Sequence, residues 1–343
     1  MVAKRTLRRT LYGPRTKVCR TLGVAGFKFA HLYMIRLLAL AATSILALAE
    51  PPGPSISQPS LGYVFDDNAK AVRQISGVPG AASMDRAVAA GTSLDSAFVH
   101  SRARLAIANA KGGGVQVLQW AGAPQAIAIS SALSHVTMAA FSRSGDWAAI
   151  SDGTSVETWS GLAGTPAVSA STNPEGGVTA VAVNDNGTAA AANGSGAVML
   201  VGDNPRVLAT GGNWIALAFL PNGNDLLAAD ATAQSLTLIQ DIQNMAASSV
   251  VLSVRQKPGA LVVSRDGSQA ALGLADNVTV VNLASGAAVS IACACQAARV
   301  DLLEGNLVAR IIDAQTGSQL LLDADSATPR IASLPDLNLG GVQ

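Results

Sequence analysis

The chain has 343 residues, 49% hydrophobic and 13% charged, with a formal net charge of +1. That length and apolar content suffice for a large buried core, with fewer charges than an average soluble domain carries. Residues 1–33 hold eight Lys or Arg and no Asp or Glu, leaving 15 basic against 22 acidic residues after Tyr33. A body with a balance of −7 argues against nucleic acid as a partner.

In chain order, residues 1–33 read as a basic leader standing ahead of a complete export signal. Met34 is then the expected true start, with the earlier residues coming from a misplaced start codon. A genuine extended leader is the competing reading: Arg8-Arg9-Thr10-Leu11-Tyr12 loosely resembles a twin-arginine export motif, although 27 residues separate Arg9 from Leu37. A nucleic-acid-binding basic arm is the third. Residues 34–49 have the plan of a secretory signal peptide: Arg36, then the apolar run Leu37–Ala49 ending in the small-x-small pattern Ala47-Leu48-Ala49. The run of 13 residues is short for a membrane span, which needs about 20. The expectation is export to the periplasm or outside the cell, cleavage after Ala49 and no stable membrane insertion afterwards; an uncleaved anchor is the alternative. No Cys follows the run to accept a lipid. Residues 50–60, with four Pro between Pro51 and Pro59, read as a stiff tether.

From residue 61 the signals are those of short strands. Tyr63–Phe65, Ala71–Ile75 and Arg86–Ala89 are strand-like pieces, and beyond them a phrase repeats: apolar run, tight polar turn, apolar run ending on Asp or Asn. It reads FSRSGDWAAISD from Phe141, VNDNGTAAAAN from Val183, FLPNGNDLLAAD from Phe219 and VSRDGSQAALGLAD from Val263. The turn glycines Gly145, Gly187, Gly223 and Gly267 are 42, 36 and 44 residues apart. Two worn copies extend the series, with Arg102 at the glycine position 43 residues before Gly145 and Gly305 placed 38 residues after Gly267. One unit resolves into runs Val178–Val183, Thr188–Ala192, Val198–Val201 and Arg206–Ala209. Gly after Asn or Asp between two apolar runs is a hairpin signal, because glycine adopts positive φ at low cost. The alanine-rich second runs are poor strand formers; small side chains there fit strands that meet a neighbouring unit at close range.

Units of 36–44 residues with four runs match the blades of an all-β propeller. Six markers give six four-stranded blades from about Leu94 to Leu334. Residues 61–92 supply most of a seventh, completed by a strand from the C-terminal tail, and seven is preferred narrowly over six. Residues 61–335 are thus the propeller and 336–343 a tail. On the turn phrases and on Ser155-Val156-Glu157-Thr158-Trp159, which looks like the third-strand ending of a WD repeat with Ser160 in place of Asp, the chain resembles the broad WD40 and YVTN-like family of β-propeller repeats. His135 stands near where such repeats carry a Gly-His pair, and the resemblance implies that it orients a neighbouring turn by hydrogen bonding.

Chemistry is sparse. Second strands end on Asn109, Asp152, Asn193, Asp230, Asp276 and Asp313, which a propeller would gather around one mouth of its channel. Asx residues nucleate turns by bonding their own backbone; the sharper expectation is a ring of oxygen ligands for a cation or polar ligand. Loops of the same face are expected to carry Glu175, Trp214, Arg255, Lys257 and Arg299; Trp214, Arg255 and Arg299 are candidate partner-binding residues, although for Trp214, which follows Gly211-Gly212-Asn213, an indole packed between blades is the commoner arrangement. Cys293 and Cys295, taken as i and i+2 on a strand, point to small buried side chains, with a disulfide or a metal site as alternatives. Neither His100 nor His135 sits in a zinc-protease or hydrolase motif, and Lys111-Gly112-Gly113-Gly114 lacks phosphate-loop spacing. No cofactor and no catalytic residue are expected. The resulting expectation is an exported propeller that binds a protein or carbohydrate partner through one face. The alternatives are a lactonase, glycosidase or quinoprotein type of enzyme, or a structural module of the envelope.

Overall fold

Each marker turn needs a residue that bends the backbone into the left-handed region without a side chain. At Gly187 φ is +79°, and a Cβ there would lie 2.7 Å from the Trp147 ring of the preceding blade. Such turns join apolar runs into antiparallel strands, and a computed structural model describes the result for residues 59–88, 91–221 and 223–335. The leader, the signal peptide, the tether up to Gln58 and the expected C-terminal strand lie outside the described residues. Among those residues there are 27 strands, and no helix is long and apolar enough to cross a membrane.

The strands form seven antiparallel sheets. The first blade is β1 (Ser60–Asp66), β2 (Ala71–Val78) and β3 (Ala81–Ala87); the second is β4 (Leu94–His100), β5 (Leu105–Ala110), β6 (Val115–Gln119) and β7 (Gln125–Ala128). The third holds β8 (Met138–Phe141), β9 (Trp147–Ser151), β10 (Val156–Ser160) and β11 (Ala167–Thr172). The fourth holds β12 (Val178–Val183), β13 (Ala189–Asn193), β14 (Val198–Leu200) and β15 (Val207–Ala209). In the fifth are β16 (Trp214–Phe219), β17 (Leu226–Asp230), β18 (Ser235–Gln240) and β19 (Ala247–Ser253). The sixth comprises β20 (Ala260–Val263), β21 (Gln269–Gly273), β22 (Asn277–Asn282) and β23 (Ala288–Ala292), and the seventh β24 (Ala297–Leu302), β25 (Val308–Asp313), β26 (Gln319–Asp323) and β27 (Arg330–Ser333).

Seven apolar clusters hold the ring together, one between each pair of neighbouring blades. The cluster of Val64 and Ile75 with Leu303, Val308 and Leu321 joins the first blade to the seventh and closes the circle. Second strands are buried on both faces, which explains their alanines. Along β13, Ala189 and Ala191 pack against the third blade while Ala190 and Ala192 pack against the fifth. A side chain one carbon long on each face lets blades approach at close range, and extra methylenes in such a seam cost about 1–3 kcal/mol.

The first blade departs from the pattern. Leu61 and Gly62 lie beside Ser101 and Glu304 at the marker-turn end, because the Glu304 N–H donates to the Leu61 carbonyl and the Tyr63 N–H to Ser101 Oγ. Gly80, in the β2–β3 turn, abuts Arg330 at that same end. β1 therefore runs away from the marker-turn end, as second strands do, and β1–β3 are the second to fourth strands of their blade. The Met84 N–H of β3 donates to the carbonyl of Pro335, the last described residue. At β1, Arg310 Nη1 donates to the Phe65 carbonyl at 2.6 Å; this arginine is 1% exposed and shares Asp301 with Arg299.

Candidate functional site

First strands β4, β8, β12, β16, β20 and β24 line a central channel of about 730 Å³. Alternating residues of a strand face opposite ways, and here the channel-lining positions are mainly Ala, Val, Leu and Phe, with polar groups toward the ends. One end collects the turns between second and third strands together with the loops that lead into each blade. The other collects the marker turns.

The expected Asx ring stands at the first end, and it has a seventh member that the sequence reading missed. Asp66 closes β1 as Asp230 closes β17: its Oδ1 accepts the Asn68 and Ala69 N–H groups, and its Oδ2 pairs with buried Arg73 at 2.7 Å. The signal was Asp66-Asp67-Asn68 directly after an apolar run, but no marker turn preceded it. Each ring residue engages its own turn or a neighbouring loop. Asp152 accepts from Thr154 and Ser155 N–H, and Asn193 from Ala197 N–H. Asn109 exchanges hydrogen bonds with both backbone groups of Val136, in the loop leading into the third blade. Asp230, 5% exposed, accepts from Thr232, Ala233 and Asn213, and Asp313 from Gln296, Gln315 and Thr316. Asp276 accepts from the Gln256 and Asn277 side chains. These bonds favour the ionised form: Gln256 and then Asn277 lower the Asp276 pKa, and Thr316 followed by the Gln296 N–H lowers that of Asp313. None of the seven lines the channel.

The partner-binding candidates separate. Trp214 is 6% exposed, packs between the fourth and fifth blades, and donates from Nε1 to the Gly196 carbonyl. Arg255 is exposed in the loop before β20. Arg299 is on strand β24 and not on a loop; it lines the channel, lies 4.9 Å over the Phe98 ring and bonds Asp301 at 2.7 Å. His135 is exposed and meets Ser134. Cys293 and Cys295 form a disulfide, where small buried thiols were the expectation. The reason is local: both lie between β23 and β24, so no strand holds their side chains parallel, and their Cα atoms stand 5.1 Å apart, within the usual range for a bridge. Among the described residues no group of three or more His, Cys, Asp or Glu side chains converges to hold a metal ion.

The marker-turn end is where charge gathers, and the sequence reading treated those turns as punctuation alone. Arg143 and Arg265 each stand two residues before a marker glycine, and Arg102 occupies the worn glycine position. Arg265 is fixed across the sixth and seventh blades, its Nε donating to the Gly305 carbonyl at 2.7 Å and its Nη2 to that of Leu303 at 2.5 Å. Beneath it, His100 packs edge-on to Phe141 with ring centroids 5.6 Å apart. Its Nδ1 accepts the Ala103 N–H at 2.9 Å, which leaves the neutral ring's proton on Nε2. Burial, reinforced by the nearby Arg265 charge, lowers the His100 pKa to about 4.

This ring of sheets around a central channel defines a seven-bladed β-propeller. No family model matches the chain, and no curated protein does. Among solved structures it is similar to a functionally unknown protein from Desulfotomaculum acetoxidans, at 15% identity and a TM-score of 0.58, covering 81% of this chain and 100% of that one. A Lactobacillus plantarum protein is similar at 13% identity and a TM-score of 0.59, covering 81% and 96%. The β-propeller domain of Cps50 (Swd1) from Myceliophteria thermophila is similar at 13% identity and a TM-score of 0.55, covering 69% and 84%. At such identities the likeness speaks for the fold alone.

Proposed function

We propose that the protein is an exported β-propeller that binds a protein or carbohydrate partner through one end of its ring and carries out no catalysis of its own. The observation that supports this reading is the state of the titratable groups in the channel. A general acid or base must exchange its proton near working pH. His100 is neutral, with Nδ1 engaged by backbone, and Asp301, although buried, stays ionised between Arg299 and Arg310. The Ala, Val, Leu and Phe side chains of the channel wall between them offer a surface to occupy. Placing the contact at the marker-turn end follows from the disposition of side chains, because the Asx oxygens at the opposite end are engaged by their turns, by neighbouring loops or by adjacent side chains.

Two measurements test this. A photo-cross-linking side chain at exposed position 185, on the marker-turn end, is expected to trap a defined partner from an envelope fraction, and one at position 255, on the other end, is not. Turnover of lactone or glycoside substrates by the purified chain would instead favour an enzyme. For export, the first residue of the mature protein is expected to be Glu50; a protein retaining residues upstream of Met34 would contradict the start assigned here.

A further inference from the structure

The marker-turn end opens into a recess of about 530 Å³ that carries Arg102, Arg104, Arg143 and Arg265 beside only two acids, Asp266 and Glu304. The volume lies within the range of small-ligand sites, about 300–1,000 Å³. Asp266 is closed into its own turn, where Oδ1 accepts from the Ser268 N–H and from the hydroxyls of Ser264 and Ser268. Arg104 leans on the Tyr63 ring at 5.9 Å. Arg102 and Arg143 are exposed and, among the described residues, make no side-chain hydrogen bond or ion pair; Nη1 of the anchored Arg265 has no partner among them either. These three cations lie within electrostatic reach of one another: burial, then the Arg102 charge and to a smaller extent that of Arg143, lower the Arg265 pKa despite the opposing charges of Glu304 and Asp325. Like charges gathered on three separate blades repel each other, and an anion between them turns the repulsion into attraction. A guanidinium fork matches the paired oxygens of a carboxylate or phosphate.

We propose that this mouth binds a small ligand carrying two or more oxyanion groups, carboxylate or phosphate, with Arg265 as the fixed fork and Arg102 and Arg143 as mobile arms. The inference rests on the binding-propeller reading and adds the chemistry of what is bound. Calorimetry on the full chain in about 150 mM salt, where long-range attraction is screened, tests it with inorganic pyrophosphate and with citrate. Saturable 1:1 binding of either supports the site, and the better of the two assigns phosphate or carboxylate. Arg102→Gln with Arg143→Gln, at exposed positions that leave the fold alone, should weaken binding by about tenfold or more, the loss of a charge-assisted contact. Glu304→Gln removes the lining acid whose charge offsets that of Arg265 and should tighten it by about two- to threefold. Arg255→Gln with Lys257→Gln, at the opposite end, should leave it unchanged. No saturable heat with either anion would overturn the proposal, as would equal weakening by both double variants, or binding of an acidic peptide when neither small anion binds. Should the anions fail while position 185 still cross-links a partner, the oxyanion site falls and the binding reading stands.

Discussion

The two ends of the channel are built from turns of the same repeat, yet they dispose of their polar groups in opposite ways. At the Asx end, Asp66, Asn109, Asp152, Asn193, Asp230, Asp276 and Asp313 supply one acceptor per blade, and backbone or neighbouring side chains engage every one. At the marker-turn end the glycines do the bending; Asn184, Asp185, Arg265 and Asp266 before them still bond backbone or turn groups, but Arg102 and Arg143 make no side-chain hydrogen bond or ion pair among the described residues. Polar regularity in a repeat can therefore mark the repeat's own construction, while irregular residues on the same scaffold mark what distinguishes this protein.

That division can be broken by substitution, beginning with the largest expected effect. Asp230→Ala removes three hydrogen bonds from a buried carboxylate and strands their donors, so denaturant unfolding should show a loss of about 3–4 kcal/mol with oxyanion binding intact in the folded fraction. His100 comes next. Its folded pKa of about 4 lies below the unfolded value near 6.5, so the native state prefers the neutral ring. That contribution is complete above about pH 6.5 and is lost as pH falls toward 4, on the order of 3 kcal/mol at 1.36 kcal/mol per pKa unit. His100→Leu should flatten the stability profile in that window; an unchanged profile would mean that the ring is solvated. Reducing the Cys293–Cys295 bridge closes off only a two-residue separation and should cost about 1.5 kcal/mol, with thiol counting giving two more reactive groups after reduction than before. Arg102→Gln and Arg143→Gln should each shift stability by no more than about 0.5 kcal/mol, as exposed groups without partners do. A large loss there would give the arginine end a structural duty and erase the contrast.

The repeat architecture was legible because its signals are local. Gly145, Gly187, Gly223 and Gly267 each fix a hairpin, and the runs read for residues 178–209 coincide with β12–β15 to within a residue or two. The alanines of β13 were also interpretable, since a strand buried on both faces between close blades has room for little else. Where the reading fell short, the missing information was non-local. Asp66 belongs to the ring only because β1 is a second strand, a fact set by Ser101 and Glu304 far along the chain. For Trp214 an indole packed between blades was the commoner expectation and it is the arrangement found, but its hydrogen-bond partner, Gly196 of the neighbouring blade, was not readable locally. Arg102, Arg143 and Arg265 are single residues on three separate units, and nothing short of the closed ring brings them to one mouth.

The most direct measurement is a crystal structure of the protein grown with pyrophosphate. The account predicts the anion at the marker-turn mouth, held by Arg265 with Arg102 and Arg143 drawn in, and the seven Asx side chains unmoved in their turns. Pyrophosphate seated at the Asx end instead, or a marker-turn mouth whose arginines turn away from an anion bound elsewhere, would contradict it.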